Sequence, residues 1–118
     1  IACVQAAYKY GFDWMSELKK YLDDNFLFMK DFLKENLPEA KFSIPEATYL
    51  GWVDGSHYLP EDTDLSMFFA NHAGVLLEGG KMFVQNGDGY IRLNLACPRA
   101  VLINGLQRIA KALKNYNN

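Results

Sequence analysis

Apolar and polar positions along the chain follow two different periods, and these periods separate helical segments from extended ones. Residues 2–10 are mostly apolar and stop before Gly11, which is typical of a short helix that ends at a glycine. A long second helix is predicted from Asp13, a potential N-cap, to Pro38, because one apolar stripe recurs there at helical spacing. That stripe consists of Trp14, Leu18, Tyr21, Leu22, Met29 and Leu33.

The middle of the chain changes to short runs of strand-forming residues separated by turn signals. A brief extended piece lies around Phe42, and the run 48–53 is rich in strand formers. A third helix is predicted to follow, with Asp62 or Thr63 as its N-cap and Gly74 at its end.

The last third of the chain contains the clearest strand. Residues 75–77 predict a short buried strand, and the glycines of 79–80 and 86–89 indicate loops that need positive φ. Residues 90–97 alternate between a wholly apolar face and a face that carries Tyr, Arg and Asn, which predicts a strand with one buried side. Pro98 is well placed in the first turn of a last helix.

This order of elements predicts an α/β chain of the two-layer α+β kind, in which helices cover a small, mostly antiparallel sheet. The 118 residues correspond to about one domain, and 50% of them are hydrophobic, which is enough for one packed core. We therefore expect residues 1–118 to form a single domain. Because the chain begins at Ile1 inside a predicted helix and without methionine, we expect it to be a piece of a longer protein.

Composition argues against several classes of function. The 12 basic and 14 acidic residues leave no positive excess, so nucleic-acid binding is not expected. No apolar run approaches the roughly 20 residues that span a bilayer. Cys3 and Cys97 lie far apart in sequence, and two cysteines in such a chain fit a reducing cytoplasm better than a disulfide. The sequence leaves a disulfide between them as the alternative. Together with His57 and His72 they have no spacing that predicts a metal site.

Arg92 is the foremost candidate for chemistry, because it lies on the polar face of the predicted strand, two residues before Asn94. A planar guanidinium matches a carboxylate with two parallel hydrogen bonds, and a neighbouring amide can hold that fork in place. A solvated surface arginine explains the same pattern, so both interpretations stay open. Arg99, in the first turn of the last helix, opposes the helix dipole and is expected either to pair with an anion or to be exposed.

Neither histidine is expected to act as a catalytic base. His57 follows Ser56 in a loop with no evident third partner, whereas a hydrolytic triad needs a nucleophile, a base and an orienting group. His72 falls on the apolar side of the third helix and is expected to be a packed residue or a helix cap.

Several segments, in order along the chain, resemble one family of enzymes. Residues 89–99, GYIRLNLACPR, resemble the closing strand of class I/II aminotransferases, which depend on pyridoxal 5′-phosphate (PLP). Residues 45–52, PEATYLGW, are similar to an upstream strand of the family's cystathionine β-lyase-type carbon–sulfur (C–S) lyase branch, and Gly79, Gly80 and Phe83 to its preceding loop. The inter-domain helices of that branch are matched by Ala6, Ala7, Tyr8, Gly11, Trp14, Tyr21, Leu22 and Asn25.

The resemblance implies both a fold and a role for Arg92. It implies the C-terminal small domain of a longer enzyme, with inter-domain helices over residues 1–37 and a sheet with its helices over 38–118. In such enzymes the arginine of this strand binds the α-carboxylate of the substrate. Arg92 is therefore the implied substrate ligand, with Asn94 and Tyr90 as its neighbours.

The same resemblance implies what the chain lacks. The family's Schiff-base lysine and its cofactor-binding residues belong to a large domain upstream, and Lys81 lies in a later loop without matching surroundings. We therefore expect no catalytic residue and no bound cofactor in this fragment. The intact parent is expected to contain PLP and to be a homodimer, and its large PLP-binding domain is the expected partner of this chain.

The implied function is substrate-carboxylate binding within a PLP-dependent aminotransferase or C–S β-lyase that acts on amino acids, and the motifs slightly favour the lyase. A stand-alone domain that binds a small ligand or a protein, without catalysis, is the alternative. If the chain is a detached domain, it is also expected to expose an apolar patch along its first helices.

Overall fold

The computed structural model describes residues 1–116, and its helices lie where the apolar periodicity predicts them. They are α1 (Ala2–Tyr10), α2 (Phe12–Asn36), α3 (Leu65–Ala73) and α4 (Arg99–Tyr116). Two predicted caps are wrong. Helix α2 begins one residue before Asp13, with Gly11 in the N-cap position and no side-chain cap. Helix α3 is capped by Asp64, whose Oδ1 accepts a hydrogen bond from the Met67 amide at 3.1 Å, and not by Asp62 or Thr63.

Four short strands form one sheet in the order β1-β2-β4-β3, and every pairing in it is antiparallel. The strands are β1 (Lys41–Phe42), β2 (Leu50–Asp54), β3 (Glu78–Gly79) and β4 (Tyr90–Asn94). A single turn of 3-10 helix, Gly80–Met82, follows β3 directly. The sequence-based prediction of an α+β chain with a small antiparallel sheet is confirmed.

The strand predicted at 75–77 is wrong, because the end of α3 uses this part of the chain. Gly74 adopts the left-handed conformation at φ 60°, and the Val75 amide donates to the carbonyl of Phe69 at 3.1 Å. The amide of Val75 is therefore bonded to the end of α3, and strand pairing begins only at Glu78. Among the glycines predicted to need positive φ, Gly89 has a φ of 75°, whereas Gly79, Gly80 and Gly87 have no positive φ, so the prediction is wrong for these three.

The hydrophobic core lies between one face of the sheet and the helices α2, α3 and α4. Val53 and Ile91 point into it from the two central strands. Helices α2 and α4 supply most of the remaining volume, with Met29, Leu33, Leu102, Leu106, Ile109 and Leu113 all buried. The opposite face of the sheet carries Trp52, Tyr90 and Arg92, which are all only partly buried, and it holds the chain's candidate chemistry.

A buried amide fixes α2 to the end of β4. Asn25 is 0% exposed, and its Nδ2 donates to the carbonyls of Leu95 and Cys97 at 2.9 and 3.1 Å. Its Oδ1 accepts from Nε of Arg99 at 2.8 Å. These bonds satisfy the polar atoms of the side chain within the core and hold the turn between β4 and α4 against α2.

The first helix and the start of the second contribute nothing to the core. None of the residues of α1 is buried, and Tyr8 and Phe12 are 89% and 78% exposed. The other exposed apolar residues of this segment are Ile1, Val4, Tyr10, Trp14, Met15 and Tyr21. The exposed apolar patch expected along the first helices is confirmed. No helix within residues 1–116 is long and apolar enough to cross a membrane.

We expect Asn25→Ala to lower the free energy of unfolding by about 2–3 kcal/mol, because the buried carbonyl of Leu95, the partly buried carbonyl of Cys97 and the Arg99 guanidinium lose a partner. Urea denaturation curves followed by circular dichroism measure this change. Asn104→Ala is the matched control, since Asn104 lies exposed on α4 and its replacement should stay within about 0.5 kcal/mol of the wild type. Equal midpoints for the two variants would contradict the anchoring role of Asn25.

Candidate functional site

The candidate site lies on the open face of the sheet, where three strands present a row of side chains. Arg92 of β4 is the register partner of Trp52 of β2 on one side and of Glu78 of β3 on the other. Side chains of register partners in an antiparallel pair lie on the same face. Arg92 is therefore the central residue of a row that crosses the sheet.

Arg92 is held by two neighbours. Its Nε donates to Oε2 of Glu78 at 2.9 Å, and its Nη2 donates to the same oxygen. The guanidinium carbon lies 4.1 Å from the centre of the Phe83 ring, in cation–π contact. The Arg92 side chain is 27% exposed, so it is half-buried and still reachable from solvent.

An aromatic cluster continues the site beside Arg92. The rings of Trp52 and Tyr90 stack with centres 5.6 Å apart, and the rings of Trp52 and Phe83 form a T-shaped pair with centres 6.0 Å apart. Trp52, Tyr90 and Arg92 share the open face, because they are register partners or lie two residues apart on one strand. The guanidinium is thus bordered by apolar rings.

A close backbone crossing brings Phe83 over the sheet. Gly80 is buried, and a Cβ atom added to it would overlap the backbone of Gly87 and lie 2.8 Å from Cβ of Tyr90. A side chain at Gly87 would in turn overlap the backbone of Gly80. The two glycines therefore allow the loop between them to fold back, and Phe83 lies within that loop.

A second charged pair lies at the β1 end of the same face. Asp54 accepts a hydrogen bond from the Ser56 amide at 3.0 Å, and Nζ of Lys41 lies 3.9 Å from its Oδ2. Burial alone raises the pKa of the Asp54 carboxyl, but the hydrogen bonds from Ser56 and the charge of Lys41 outweigh it and leave that pKa below its ordinary value. Asp54 is therefore ionised at neutral pH.

Asn94 does not hold the Arg92 fork, contrary to the sequence-based expectation. Its Oδ1 accepts from the amide of Ala96 at 2.8 Å, and this bond shapes the turn that follows the strand. The strand therefore ends at Asn94, short of the predicted end at residue 97. The partner of Arg92 is Glu78, which sequence reasoning missed because 14 residues and a loop separate the two.

Among residues 1–116, Arg99 contacts an amide, an aromatic ring and a hydroxyl, and it forms no ion pair. Its Nε donates to Asn25, its guanidinium carbon lies 4.8 Å from the centre of the Phe28 ring, and its backbone amide donates to the Tyr21 hydroxyl at 2.7 Å. Within residues 1–116 the structure shows neither the expected anionic partner nor full exposure, because a neutral amide and an aromatic ring contact the half-buried guanidinium. Arg99 thus holds the start of α4 against α2.

The histidines and cysteines lie apart from the open face of the sheet. His72 stacks on Phe68 with ring centres 4.6 Å apart, and its Nδ1 lies 3.0 Å from the Phe68 carbonyl oxygen. His57 contacts the Tyr58 ring edge-on. Cys3 and Cys97 are both free thiols. Within residues 1–116, no group of three or more His, Cys, Asp or Glu residues is placed to hold a metal ion.

Lys81 does not fit the Schiff-base lysine of a PLP enzyme. Its Nζ lies 2.9 Å from Oδ1 of Asp62 and 2.8 Å from Oδ1 of Asp88. Hydrogen bonds to Asp88 and Asp62 raise the pKa of the Lys81 ammonium above its ordinary value. A lysine that attacks a carbonyl needs the opposite shift, because only the neutral amine is a nucleophile. Lys81 instead links the loop of Asp62 to the loop of Asp88 through its two ion pairs.

Comparison with known proteins gives this geometry a context. No protein-family model matches the chain. Among curated proteins, cystathionine β-lyase PatB of Bacillus subtilis is 37% identical over 113 residues, which make up 96% of this chain and 29% of PatB. Protein MalY of Escherichia coli is 32% identical over 109 residues, covering 92% of this chain and 28% of its own length.

A solved structure supports the same assignment. The PLP-bound C–S lyase from Staphylococcus hominis, complexed with the inhibitor L-cycloserine, superposes with a TM-score of 0.91 and 49% identity. The superposition covers 94% of this chain and 30% of the lyase chain. The fold is thus the small-domain fold of aminotransferase-type, PLP-dependent enzymes.

Within that class, the chain matches the C-terminal part of the cystathionine β-lyase-type C–S lyase branch, so the resemblance stated from its motifs is confirmed. The chain spans about 30% of the length of the curated relatives that it matches. The activity and the partners of the whole protein are therefore matters for proposal.

We expect Asp54→Ala to destabilise the chain at pH 7 by about 1.5–3 kcal/mol, the usual contribution of hydrogen bonds to a buried charged group. Because the pKa of Asp54 is lower in the folded chain than in the unfolded chain, its contribution is complete above the unfolded value of about 3.9 and is lost as pH falls through the folded value. Urea midpoints of variant and wild type should therefore converge in acid.

Glu46→Ala is the control for this titration, since Glu46 lies exposed in the loop before β2. Its midpoint should follow the wild type at every pH. A constant gap between Asp54→Ala and the wild type from pH 7 to pH 3 would contradict the assigned charge of Asp54.

Proposed function

We propose that this chain is the C-terminal, substrate-carboxylate-binding domain of a PLP-dependent aminotransferase or C–S β-lyase that acts on amino acids. One observation carries the proposal: Arg92 lies at the centre of the open face of the sheet, half-buried, oriented by its neighbours and accessible from solvent. The relatives called cystathionine β-lyases favour the lyase over the transaminase.

The free edge of the guanidinium fits a carboxylate. Glu78 takes the edge formed by Nε and Nη2, whereas Nη1 makes no hydrogen bond to residues 1–116. The edge formed by Nη1 and Nη2 can therefore donate two parallel hydrogen bonds to an α-carboxylate. Trp52 and Phe83 border this position and reduce the competition from water. Asn94 and Tyr90 flank Arg92 along the strand and remain its proposed neighbours in the site.

We further propose that this chain binds the substrate but does not itself catalyse a reaction. PLP would supply the electron sink for reactions at the carbon next to the carboxylate. The Lys81 pairs leave that residue unsuited to hold the cofactor, and the chain corresponds to only about 30% of its relatives' length. The Schiff-base lysine and the cofactor-binding residues therefore belong to the rest of the parent, which we propose to be a homodimer.

The exposed apolar surface of α1 and early α2 is the proposed contact with that missing large domain. A large apolar patch without a partner is unusual for a domain that works alone. Residues 1–37 act, in this proposal, as the inter-domain helices, and residues 38–118 as the body that carries the sheet. The second half of α2 is anchored in that body by Asn25, so one helix joins the two regions.

In the intact parent, Arg92→Ala is expected to lower kcat/KM for L-cystathionine about 10- to 150-fold, since a hydrogen-bonded charge pair contributes about 1.5–3 kcal/mol. Most of the change should appear in KM. Arg92→Lys should recover only part of the loss, because an ammonium lacks the two-pronged geometry. Steady-state kinetics measure these values.

Arg108→Ala is the matched control for this experiment. Arg108 lies on α4 and donates to the Gly74 carbonyl at 3.2 Å, remote from the open face, so its removal should leave kcat/KM unchanged. Loss of activity in Arg108→Ala equal to that in Arg92→Ala, or an unchanged kcat/KM in Arg92→Ala, would overturn the carboxylate role.

The chain produced alone should self-associate as its concentration rises, because the patch on α1 and α2 has no cover. Sedimentation velocity measures this association. A variant in which Tyr8, Phe12 and Trp14 are all replaced by Ser should remain monomeric, whereas Met67→Ser, which removes an exposed apolar side chain from α3, should associate like the wild type. A strict monomer for the wild-type chain at high concentration would count against the proposed contact.

A further inference from the structure

We propose that Glu78 is a positioning residue of the carboxylate site, and that it acts by aiming the guanidinium of Arg92. This inference rests on the proposed function and deepens it. Glu78 accepts from Nε and Nη2 on one edge of the guanidinium, so that only the opposite edge faces an incoming carboxylate. The ring of Phe83 packs against one face of the guanidinium and fixes its plane.

The sheet gives Glu78 a defined place from which to act. Glu78 and Arg92 are register partners across β3 and β4, so their side chains lie next to each other on the same face of the sheet. The next residue, Gly79, donates its amide to Oγ of Ser66 on α3 at 3.2 Å. The loop that follows is tied by Lys81 to both Asp62 and Asp88. The carboxylate of Glu78 is thus presented by a strand that is held in place directly after this residue.

A stabilising role alone does not explain the pair. The Glu78 side chain is 46% exposed, and ion pairs at such exposure contribute little to the free energy of unfolding. Their geometry is nevertheless specific, because both bonds run to a single oxygen from a single edge. An arginine side chain has many rotamers, and holding it in one of them before the ligand arrives removes that ordering from the free energy of binding.

Glu78 also has an opposing effect, because its negative charge reduces the attraction of Arg92 for an anion. Two roles are therefore distinguishable: an aiming role, which depends on the reach of the side chain, and a charge-screening role, which depends on its charge. The edge-on geometry favours the aiming role, since the oxygen of Glu78 does not occupy the edge that fits the ligand. Glu78→Gln keeps the reach and removes the charge, whereas Glu78→Asp keeps the charge and shortens the reach.

The test uses these two variants in the full-length PLP enzyme and calorimetric dissociation constants for glycine, which carries a carboxylate and no β-substituent to lose. Glu78→Asp should weaken glycine binding about three- to tenfold, the effect of freeing one rotamer-rich side chain. Glu78→Gln should stay within about twofold of the wild type, because its amide oxygen still accepts from Nε. Glycinamide, which lacks the carboxylate, should bind all three proteins alike.

The Arg92→Ala background separates aiming from a general effect on the fold. There, Glu78→Asp should cause no further loss of glycine binding, since no guanidinium remains to be aimed. With L-cystathionine, Glu78→Asp should raise KM by the same factor while kcat stays nearly constant. A loss that persists without Arg92, or that appears equally with glycinamide, would overturn the inference.

Other outcomes are equally decisive. Tighter glycine binding in Glu78→Gln would identify charge screening as the role of Glu78, and unchanged binding in Glu78→Asp would remove any role; either result overturns the inference. The proposed function has its own criterion. If Arg92→Ala alone leaves glycine binding unchanged, the carboxylate site itself is wrong, whereas weaker binding in Arg92→Ala with no effect of Glu78→Asp rejects only the aiming role.

Discussion

The register of β4 is the constraint on which the rest of the structure depends. This strand pairs with β2 on one side and β3 on the other, and its alternation sends Ile91 into the core and Arg92 to the open face. A slip of one residue would exchange these two side chains and bury a charge. The chain just beyond the strand is held by Asn25, whose amide donates to the carbonyls of Leu95 and Cys97. A single buried side chain on α2 thereby fixes the end of the strand that carries Arg92.

The apolar periodicity of the sequence was sufficient to predict most of the helices and strands. The helices and the two central strands follow from their apolar periodicity, and Arg92 stood out because it is the charged residue on the polar face of a strand whose other face is wholly apolar. The cap at Asp64 was missed because Asp62, Thr63 and Asp64 are three suitable acceptors in a row. The helix start at Phe12 was missed because Gly11, in the N-cap position, has no side-chain acceptor to mark it. The run 75–77 has the composition of a strand, but the amide of Val75 donates to the Phe69 carbonyl at the end of α3 instead of to a neighbouring strand.

The partners of the candidate site depended on distant parts of the chain and were not predictable in the same way. Glu78 and Phe83 meet Arg92 only because β3 pairs in one register and the two glycines of the intervening loop allow it to fold back. Asn94 is near Arg92 in sequence, but its side chain accepts a hydrogen bond from the Ala96 amide in the turn after the strand. Proximity in sequence therefore suggested the wrong partner for the guanidinium, and cross-strand geometry supplied the right one. The role of Arg92 as a ligand came from resemblance, since a charged side chain on a sheet face is by itself ambiguous.

Helix α2 also has a mechanical consequence. It is one continuous helix of 25 residues. Asn25 anchors it to the body of the domain, whereas Trp14, near its beginning, is exposed. With a rise of about 1.5 Å per residue, Trp14 lies about 17 Å along the axis from Asn25. A rotation of the sheet body by about ten degrees about that anchor corresponds to a displacement of about 3 Å at Trp14, by the helix geometry alone. The helix is thus a lever arm that converts a small angular change near Arg92 into a displacement as large as a hydrogen bond at the far end.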